Sequence, residues 1–509
     1  MLEIRNLTVT HRKDLKEIIK DFSFVLNYGD KVAIIGEEGN GKSTLLKLIY
    51  NERLACDYVE YSGKILKKDV RTAYLPQELE DKNKDKTVYE YFCDNPYFYD
   101  MESKELSDIA YKVGMGSDLF YSQQLMGKLS GGEKVKIQII SIMIEKPQVL
   151  LLDEPSNDID MDTLQWLEDF INNCGLSVIF ISHDEILLQN TASIIIHLEQ
   201  IRRKTICRYT VAKMGYREYV ETRLQTFKRQ EQRARKEIEE YEKQQEKLRR
   251  IQNKVEREQR IISRQAPAAG RRLKKKMHVV KSMEKRFEKG FDNITEMPHQ
   301  EEGILVKFYD DVEIPSGKVV LDFYKENLMV GQRVLSQNIN LKVMGANKIC
   351  IIGKNGNGKT TLIKCIAEEL LNRDDIKAAY MPQNYEDELD YLKTPVEFLS
   401  VTGDRDEIGK IKTFLGSMKY TTLEMDHNIG DLSGGQKAKL FFLKMIMNKC
   451  NVLILDEPTR NFSALSNPVI REILKEYKGT IISISHDRKY ISEVIDTVYE
   501  FTEKGLIKI

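Results

Sequence analysis

The sequence has few cysteines and no long hydrophobic run, and each absence excludes a class of protein. Its seven cysteines are scattered over 509 residues and never form a CxxC pair, which argues against a disulfide framework, a zinc site or an iron–sulfur cluster. No apolar run approaches the roughly 18 residues that a membrane-spanning helix requires. The first residues, MLEIRNLTVTHRKDLKE, contain no apolar signal core. We therefore expect a cytoplasmic protein with reduced thiols and no membrane segment.

The sequence also lacks net charge, but its charges are unevenly placed. Lys and Arg number 79, as do Asp and Glu. The segment 221–290 contains 23 Lys and Arg against 11 Asp and Glu, a net charge of +12, so the remainder of the chain carries −12. Within it, RQAPAAGRRLKKK at 264–276 has six positive charges and no acid. A basic middle between acidic ends indicates a polyanionic partner for that middle.

Four short motifs occur twice, in the same order. They are GEEGNGKST and GKNGNGKTT at 36–44 and 353–361, LSGGE and LSGGQ at 129–133 and 432–436, VLLLDEPS and VLILDEPT at 149–156 and 452–459, and ISHDE and ISHDR at 181–185 and 484–488. The spacing between the copies far exceeds that of solenoid repeats, so the chain contains a duplicated domain. We predict one copy over 1–212, a linker over 213–296 and the second copy over 297–509.

Strand and helix signals alternate within each copy. KVAIIG and KICIIG are predicted as buried strands that lead into a Gly-rich turn and a helix, and QVLLLDEP and LSVIFISHD as central parallel strands that end in polar residues. This alternation predicts an α/β fold of the doubly wound class, with its chemistry at the carboxyl ends of the strands. The expected fold is two tandem α/β P-loop ATPase domains joined by a linker of a different kind.

The linker has the pattern of a long antiparallel helical hairpin with a break at 266–270. The residues that keep a seven-residue step are Phe227, Ala234, Tyr241, Leu248, Val255 and Ile262 before the break, and Leu273, Val280 and Phe287 after it. At about 1.5 Å per residue, a first arm of about 42 residues extends roughly 60 Å. The plain interpretation is a solvated coiled-coil spacer. The charge excess, its peak at the turn and the length of the arm favour contact with the phosphate backbone of a folded RNA.

The two Gly-rich motifs match the P-loop pattern. Their glycines let backbone N–H groups surround phosphates at the start of a helix. Lys42 and Lys359 are predicted to contact the β- and γ-phosphates of ATP, and Ser43 and Thr360 to bind Mg²⁺. The predicted P-loop residues are Gly36, Gly39, Gly41, Lys42, Ser43 and Thr44 in the first copy, and Gly353, Gly356, Gly358, Lys359, Thr360 and Thr361 in the second.

A second group of polar residues follows apolar strands and is predicted to act on the metal and the attacking water. Asp153 and Asp456 end such strands and are placed to hold Mg²⁺, and the adjacent Glu154 and Glu457 are placed to polarise the water. The remaining members are Gln77 and Gln383, predicted to contact both ATP-bound metal and water, and His183 and His486, predicted as catalytic residues that hydrogen-bond the γ-phosphate.

The order of these motifs resembles that of the ATP-binding cassette (ABC) family, twice over: the P-loop, the glutamine, LSGG, the Asp-Glu pair and SHD. The resemblance implies an ATPase that uses ATP and Mg²⁺ and whose two cassettes close head to tail, so that a monomer holds both sites. Each ATP then lies between the P-loop of one cassette and the LSGG of the other. The resemblance assigns to the Lys42 site Ser433, Gly434 and Gly435, and to the Lys359 site Ser130, Gly131 and Gly132.

The lack of a membrane segment and the fusion of both cassettes through a basic hairpin resemble the ABC-F branch, whose members act on ribosomes. The stretch LDEPTRNFSALSNPVIREIL at 455–474 is similar to Gram-positive members that protect ribosomes from antibiotics. The sequence departs from the family at Ser463, where the family has an acid that helps to couple the two sites. The resemblance does not single out, ahead of either P-loop, the aromatic residue that stacks on adenine in the family.

The resemblance implies a protein that binds the E site of the bacterial ribosome in its ATP-closed state. The hairpin tip then reaches P-site tRNA and rRNA near the peptidyl-transferase centre and dislodges an antibiotic, and ATP hydrolysis releases the protein. Three alternatives remain open: a general translation factor of the same branch, the ATPase subunit of an ABC exporter, and a DNA-repair or chromosome ATPase. The predicted RNA contacts at the tip are Arg264, Arg271, Arg272, Lys274, Lys275 and Lys276.

Overall fold

The computed structural model describes residues 2–201, 205–261, 312–385 and 388–509, together with residues 274, 275, 277–279, 281, 282, 295, 297 and 308. Its contacts divide the chain into two compact units. One contains Met1–Tyr216 and Glu301–Ile509, and so holds both repeated copies, which we call the first and second cassette; the other is Arg217–Gln300. The tandem α/β domains and the helical linker confirm the predicted fold class, and the boundaries at 212/213 and 296/297 stay predictions.

The first cassette is built on a central, mostly parallel sheet with the strand order β5-β6-β7-β3-β8-β9, in which β9 is antiparallel to β8. A second, antiparallel sheet has the order β2-β1-β4. The strands are β1 (Leu2–His11), β2 (Glu17–Leu26), β3 (Lys31–Ile35), β4 (Val59–Lys67), β5 (Thr72–Leu75), β6 (Val149–Asp153), β7 (Ser177–Ile181), β8 (Ile194–Gln200) and β9 (Ile206–Ala212). The α-helices are α1 (Lys42–Tyr50), α2 (Asp81–Lys84), α3 (Val88–Cys93), α4 (Ser103–Lys112), α5 (Gly131–Ile144), α6 (Met161–Asn173) and α7 (Glu185–Thr191).

The linker unit begins with one long helix, α8 (Tyr216–Ile261), of 46 residues, or roughly 69 Å at about 1.5 Å per residue. Along it, Ala234 and Leu248 are buried, as the seven-residue spacing predicts. The backbone N–H of Thr295 donates to Glu237 at 2.6 Å, so residue 295 lies beside the middle of α8. The predicted bend at 266–270 lies outside the described residues. Among the described helices, none has the length and apolar content needed to cross a bilayer.

The second cassette repeats the central sheet with the order β13-β14-β15-β12-β16-β17 and adds the antiparallel pair β10-β11. The strands are β10 (Val319–Val330), β11 (Arg333–Met344), β12 (Lys348–Ile352), β13 (Ala378–Met381), β14 (Val452–Asp456), β15 (Thr480–Ile484), β16 (Thr497–Thr502) and β17 (Gly505–Lys508). The α-helices are α9 (Lys359–Leu371), α10 (Pro395–Leu399), α11 (Arg405–Ser417), α12 (Thr422–Asp426), α13 (Gly434–Met447), α14 (Asn467–Glu476) and α15 (Arg488–Val494).

The strand order brings the repeated motifs of each copy to one edge of its sheet. Strands β6 and β7 are buried at every residue, as expected for strands covered on both faces. Strand β6 lies next to β7, and β7 lies next to β3, so the P-loop, the Asp-Glu pair and the SHD motif all follow the carboxyl ends of neighbouring parallel strands. The same order of β14, β15 and β12 repeats this arrangement in the second cassette.

Candidate functional site

Both P-loops have the same backbone geometry. Gly41, with φ of 85°, precedes α1, and Gly358, with φ of 95°, precedes α9; this left-handed conformation favours glycine because it has no Cβ. A Cβ on Gly36 would lie 2.2 Å from the carbonyl oxygen of Leu198. No atom lies within 4 Å of a Cβ built on Gly39 or on its counterpart at position 356, so the middle of each loop has the open space that a phosphate needs.

The P-loop lysines fold back over their own loops. The Nζ of Lys42 donates to the carbonyl oxygens of Gly36 at 2.7 Å and Glu37 at 3.0 Å. In the same way the Nζ of Lys359 donates to Gly353 at 2.7 Å and to Lys354 at 2.9 Å. Both ammonium groups therefore lie at the mouth of the loop, where phosphate oxygens can replace the carbonyl partners.

The first site joins the P-loop to the end of β6. The Oγ of Ser43, the second residue of α1, donates to Asp153 at 2.9 Å, and Tyr74 donates to the other carboxylate oxygen at 2.9 Å. The next residue, Glu154, accepts from the Nε2 of Gln77 at 2.9 Å. The Nε2 of His183, which follows β7, lies 3.2 Å from the same carboxylate. The structure thus brings together the residues predicted to hold the metal and to polarise water.

The electrostatics keep Glu154 ionised. Burial works to raise its pKa, but the charge and hydrogen bond of His183, together with Lys42 and Asn157, outweigh burial and hold the pKa of Glu154 at about 2. A carboxylate that is charged at neutral pH and oriented by a histidine can accept a hydrogen bond from water.

The second site has the same residues in a looser arrangement. The Nε2 of His486 lies 3.9 Å from the carboxylate of Glu457, whose other oxygen accepts from the backbone N–H of His486 at 3.3 Å. Burial and the charge of Asp456 raise the pKa of Glu457 to about 8, and burial and Lys359 lower the pKa of His486 to about 4. The two sites therefore shift the pKa values of their glutamates in opposite directions, although their motifs are nearly identical.

Both glutamates have an unusual backbone. Glu154 has φ of 49° and Glu457 has φ of 54°, a left-handed conformation that costs a non-glycine residue roughly 1–3 kcal/mol. Their N–H groups donate to Ile181 and Ile484, on the neighbouring strands, at 3.1 and 3.0 Å. Strain held by the sheet at the same position of both cassettes is typical of residues that are oriented for chemistry.

The LSGG motifs begin long helices and face the opposite cassette. Ser130 caps α5 through a capping box with Glu133, and Ser433 caps α13 through one with Gln436. A cavity of about 610 Å³ lies between the cassettes at the second site. Its lining includes, from the first cassette, Ser130, Gly131 and Asn157, and, from the second, Gly356, Lys359, Thr360, Thr361, Gln383, Asp456, Glu457 and His486.

The two signature helices meet their P-loops differently. At the second site Asn355 donates to the carbonyl oxygen of Asp158 at 2.6 Å, next to the glycines of the first LSGG, and the cavity stays open. At the first site the backbone N–H of Gly435 donates to the carboxylate of Glu38 at 2.7 Å. Glu37 accepts from the second cassette as well. The head-to-tail pairing implied by the family is thus present at both sites, and at the first site acidic side chains of the P-loop make the contact.

The residues present fit ATP and a magnesium ion. The cavity at the second site lies within the roughly 300–1,000 Å³ that small-molecule pockets occupy. The Oδ2 of Asp456 is buried and has no hydrogen-bond partner among the described residues, which suits an atom that binds a cation. Thr360, Gln383 and Asp456 can hold Mg²⁺ there, and Ser43, Gln77 and Asp153 in the first site, where the ion supplies charge neutralisation for the phosphates. The remaining P-loop residue, Thr44, follows Ser43 in α1.

Several contact residues were missed by the sequence reasoning. Arg460 pairs with Asp158 across the cassettes at 2.8 Å, and Gln383 donates to the same carboxylate at 3.3 Å. On the P-loop side of the cavity, Arg333 and Leu335 of β11 line the space. The Cδ1 of Leu335 would lie 2.4 Å from a Cβ on the P-loop glycine that precedes Lys359. No sequence motif marks Arg333 and Leu335, so their place in the cavity could not be predicted from the sequence.

A buried ion cluster joins the cassettes beside the sites. Arg471 of α14 pairs with Glu185 of α7, and both side chains are almost fully buried. Lys489 reaches the same glutamate at 2.8 Å. Arg488 pairs with Glu168 of α6. Acids of the first cassette thus meet bases of the second, in pairs that the repeat pattern alone does not predict.

The predicted RNA contacts at the hairpin tip fall only partly within the described residues. Lys274 and Lys275 are helical and exposed. The others lie outside the described residues, namely Arg264, Arg271, Arg272 and Lys276. Their contact with RNA stays a prediction.

Two P-loop domains that complete each other's sites define a class of tandem nucleotide-hydrolysing proteins. The model of the ABC transporter family matches residues 19–157 and 336–460, together just over half of the chain. The chain therefore belongs to the ABC transporter family, and it is an ATPase of the ABC type.

Relatives from the F branch match almost the whole chain. "ABC transporter F family member 2" of Arabidopsis thaliana is 27% identical over 546 residues, which cover 96% of this chain and 75% of that protein. "Ribosome protection protein VmlR" of Bacillus subtilis is 28% identical over 517 residues, which cover 100% of this chain and 88% of that one. Among solved structures, ABCE1 in "Model of ribosome-bound archaeal Pelota and ABCE1" aligns with a TM-score of 0.56 at 17% identity, over 99% of this chain and 78% of that one. That last likeness concerns the fold.

Proposed function

We propose that this chain is an ABC-F ATPase that binds the bacterial ribosome at its E site when ATP closes the cassettes. Its linker tip then contacts P-site tRNA and rRNA and displaces an antibiotic from the peptidyl-transferase centre. Hydrolysis of ATP to ADP and phosphate lets the cassettes separate and releases the ribosome. ATP thus sets the time that the protein spends bound.

The observation that carries the proposal is the basic helical linker between two cassettes that face each other. An exporter ATPase has no use for a helix of 46 residues in a segment with a net charge of +12, whereas folded RNA offers a matching polyanion. The similarity to a ribosome protection protein over the full chain supports the same partner.

A contact at the start of α8 offers a route from the nucleotide sites to the linker. The hydroxyl of Tyr216, the first residue of α8, donates to the carbonyl oxygen of Ala464 at 2.9 Å, and both residues are buried. Ala464 follows Ser463, which contacts the P-loop of the first cassette. A change in how the cassettes meet therefore acts on the residue from which the helix starts.

The proposal is tested with a variant that binds ATP but does not hydrolyse it. The double variant Glu154→Gln/Glu457→Gln keeps the shape of both sites and removes the carboxylates that are placed to polarise water, so turnover should fall by about 10²- to 10⁴-fold. With ATP it should sediment with bacterial ribosomes in a sucrose gradient, and without ATP it should stay at the top. Protein that stays at the top in both conditions would contradict ribosome binding.

A second candidate is a translation factor of the same branch without a drug role. It is favoured by the comparably strong match to an F-family member whose name carries no resistance function. Cells with and without the gene distinguish the two, because ribosome protection should raise the concentration of a peptidyl-transferase inhibitor that stops growth, whereas a general factor should leave it unchanged.

A further inference from the structure

The first interface between the cassettes carries an acid on the side where the second interface has a base. Glu37, in the first P-loop, accepts from the Oγ of Ser463 at 2.7 Å and from the Oγ of Ser466. Both serines are buried. They belong to the segment that follows the Asp-Glu pair of the second cassette, so the contact joins the P-loop of one cassette directly to the hydrolytic segment of the other.

The duplicated sequence supplies an internal comparison for this contact. The spacing that relates Lys42 to Lys359 relates Glu37 to Lys354, and the spacing that relates the two motif aspartates relates Asp160 to Ser463. The second interface therefore has its acid, Asp160, on the hydrolytic segment and a lysine in the P-loop. The first interface has a serine on the hydrolytic segment and its acid in the P-loop.

The environment of Glu37 suits a carboxylate rather than a carboxylic acid. Burial works to raise its pKa, but the charge of Lys439 and the hydrogen bonds from Ser466 and Ser463 outweigh burial and hold the pKa below its ordinary value. Two hydroxyl donors on one carboxylate oxygen form charge-assisted hydrogen bonds, which are stronger than neutral ones. The acid of the first interface is therefore satisfied by the opposite cassette.

We propose that Glu37 is the positioning residue of the first site. It accepts hydrogen bonds from the opposite cassette, and so provides from the P-loop side the coupling that an acid at position 463 would otherwise provide from the other side of the interface. The residue does not touch reacting atoms in this arrangement. It holds the hydrolytic segment of the second cassette against the P-loop that binds nucleotide, so that hydrolysis at the first site depends on closure.

The exchange makes a reciprocal test possible. The single variants Glu37→Ser and Ser463→Asp, and the double variant Glu37→Ser/Ser463→Asp, are compared for ATP hydrolysis in a Glu457→Gln background, which leaves the first site to turn over. Ser463→Asp alone places two carboxylates at hydrogen-bond distance, and Glu37→Ser alone removes the acceptor. Each should lower kcat by about ten-fold, with a smaller change in KM.

The double variant should recover most of the lost kcat, because it restores one acid and one hydroxyl across the interface, with the acid on the hydrolytic segment, as Asp160 is in the second interface. The kcat of Ser463→Asp alone should also rise, relative to that of the unsubstituted protein, as pH falls from 8 to 6, since a proton shared between two carboxylates removes their repulsion. Glu60→Ser, at an exposed acid of the same cassette, is the matched control and should change neither kcat nor its response to pH.

A role in packing alone predicts a different result. If the two single effects multiply in the double variant and neither responds to pH, Glu37 contributes only to stability and the inference is overturned. Thermal melts of all variants show whether each is folded at the assay temperature. The assay measures ATP hydrolysis without ribosomes, so its outcome is independent of the proposed ribosomal function.

Discussion

Arg471→Met should destabilise the contact between the cassettes by about 2–3 kcal/mol. The guanidinium of Arg471 pairs with Glu185 of the first cassette and with Glu493 of its own, and its side chain is 4% exposed. Methionine keeps much of the side-chain volume and removes the charge. The substitution therefore leaves a buried carboxylate in the opposite cassette with one partner fewer.

The magnitude follows from what each acid can do after the change. Glu493 has a side chain that is 45% exposed, so water replaces the lost hydrogen bond and the cost there is small. Glu185 is 6% exposed and keeps Lys489 at 2.8 Å. Breaking a buried pair outright costs about 3–5 kcal/mol, and the remaining lysine lowers that figure toward the value of one charge-assisted hydrogen bond, about 1.5–3 kcal/mol.

The assay is urea unfolding followed by tryptophan fluorescence. The chain has one tryptophan, Trp166, in α6, the helix that also provides Glu168 to the ion cluster. The midpoint of this transition should fall in Arg471→Met at an unchanged dependence on urea. Arg5→Met is the control, because Arg5 pairs with Glu3 at 2.7 Å with a side chain that is 61% exposed, and exposed pairs of this kind contribute little to stability.

The double variant Arg471→Met/Glu185→Gln separates the ion pair from the loss of packing. With a neutral amide at position 185, no buried carboxylate is left without compensation, so the double variant should be no less stable than Arg471→Met alone. The reasoning is refuted if Arg471→Met shifts the midpoint no more than Arg5→Met does, or if the two substitutions in the double variant add.

Two further predictions concern the nucleotide and the hairpin. Arg333 lines the cavity of the second site, and we expect its guanidinium to contact bound ATP, which would contribute roughly 1–2 kcal/mol. Arg333→Ala should therefore raise the KM for ATP by about ten-fold with little change in kcat; steady-state kinetics check this, and an unchanged KM would exclude Arg333 from contact with ATP. Lys274→Ala/Lys275→Ala should reduce the slope of log affinity for ribosomes against log salt by about 1–2, as expected for two lost phosphate contacts. A filter-binding series over salt measures the slope, and an equal slope would remove these lysines from the RNA contact.

The motifs that could be predicted from the sequence are those whose chemistry lies within a few consecutive residues. Both P-loops, the strands that end in Asp153 and Asp456, and the heptad stripe through Ala234 and Leu248 are local patterns, and the structure has them where the sequence places them. The antiparallel sheets were not predicted, because their strands, such as Val319–Val330, are half-exposed and carry no motif.

The sequence by itself thus determined the duplication, the α/β class, the residues available to phosphate and metal, and the charge of the linker, since all of these depend on residue type and short spacing. Only the tertiary structure decided how the two sites differ. Whether His183 holds Glu154 more closely than His486 holds its glutamate depends on side-chain distances that strand packing sets. The contact of Glu37 with Ser463 joins residues more than 400 positions apart, and no pattern along a chain specifies such a pair, because only the folding of both cassettes against each other brings them into contact.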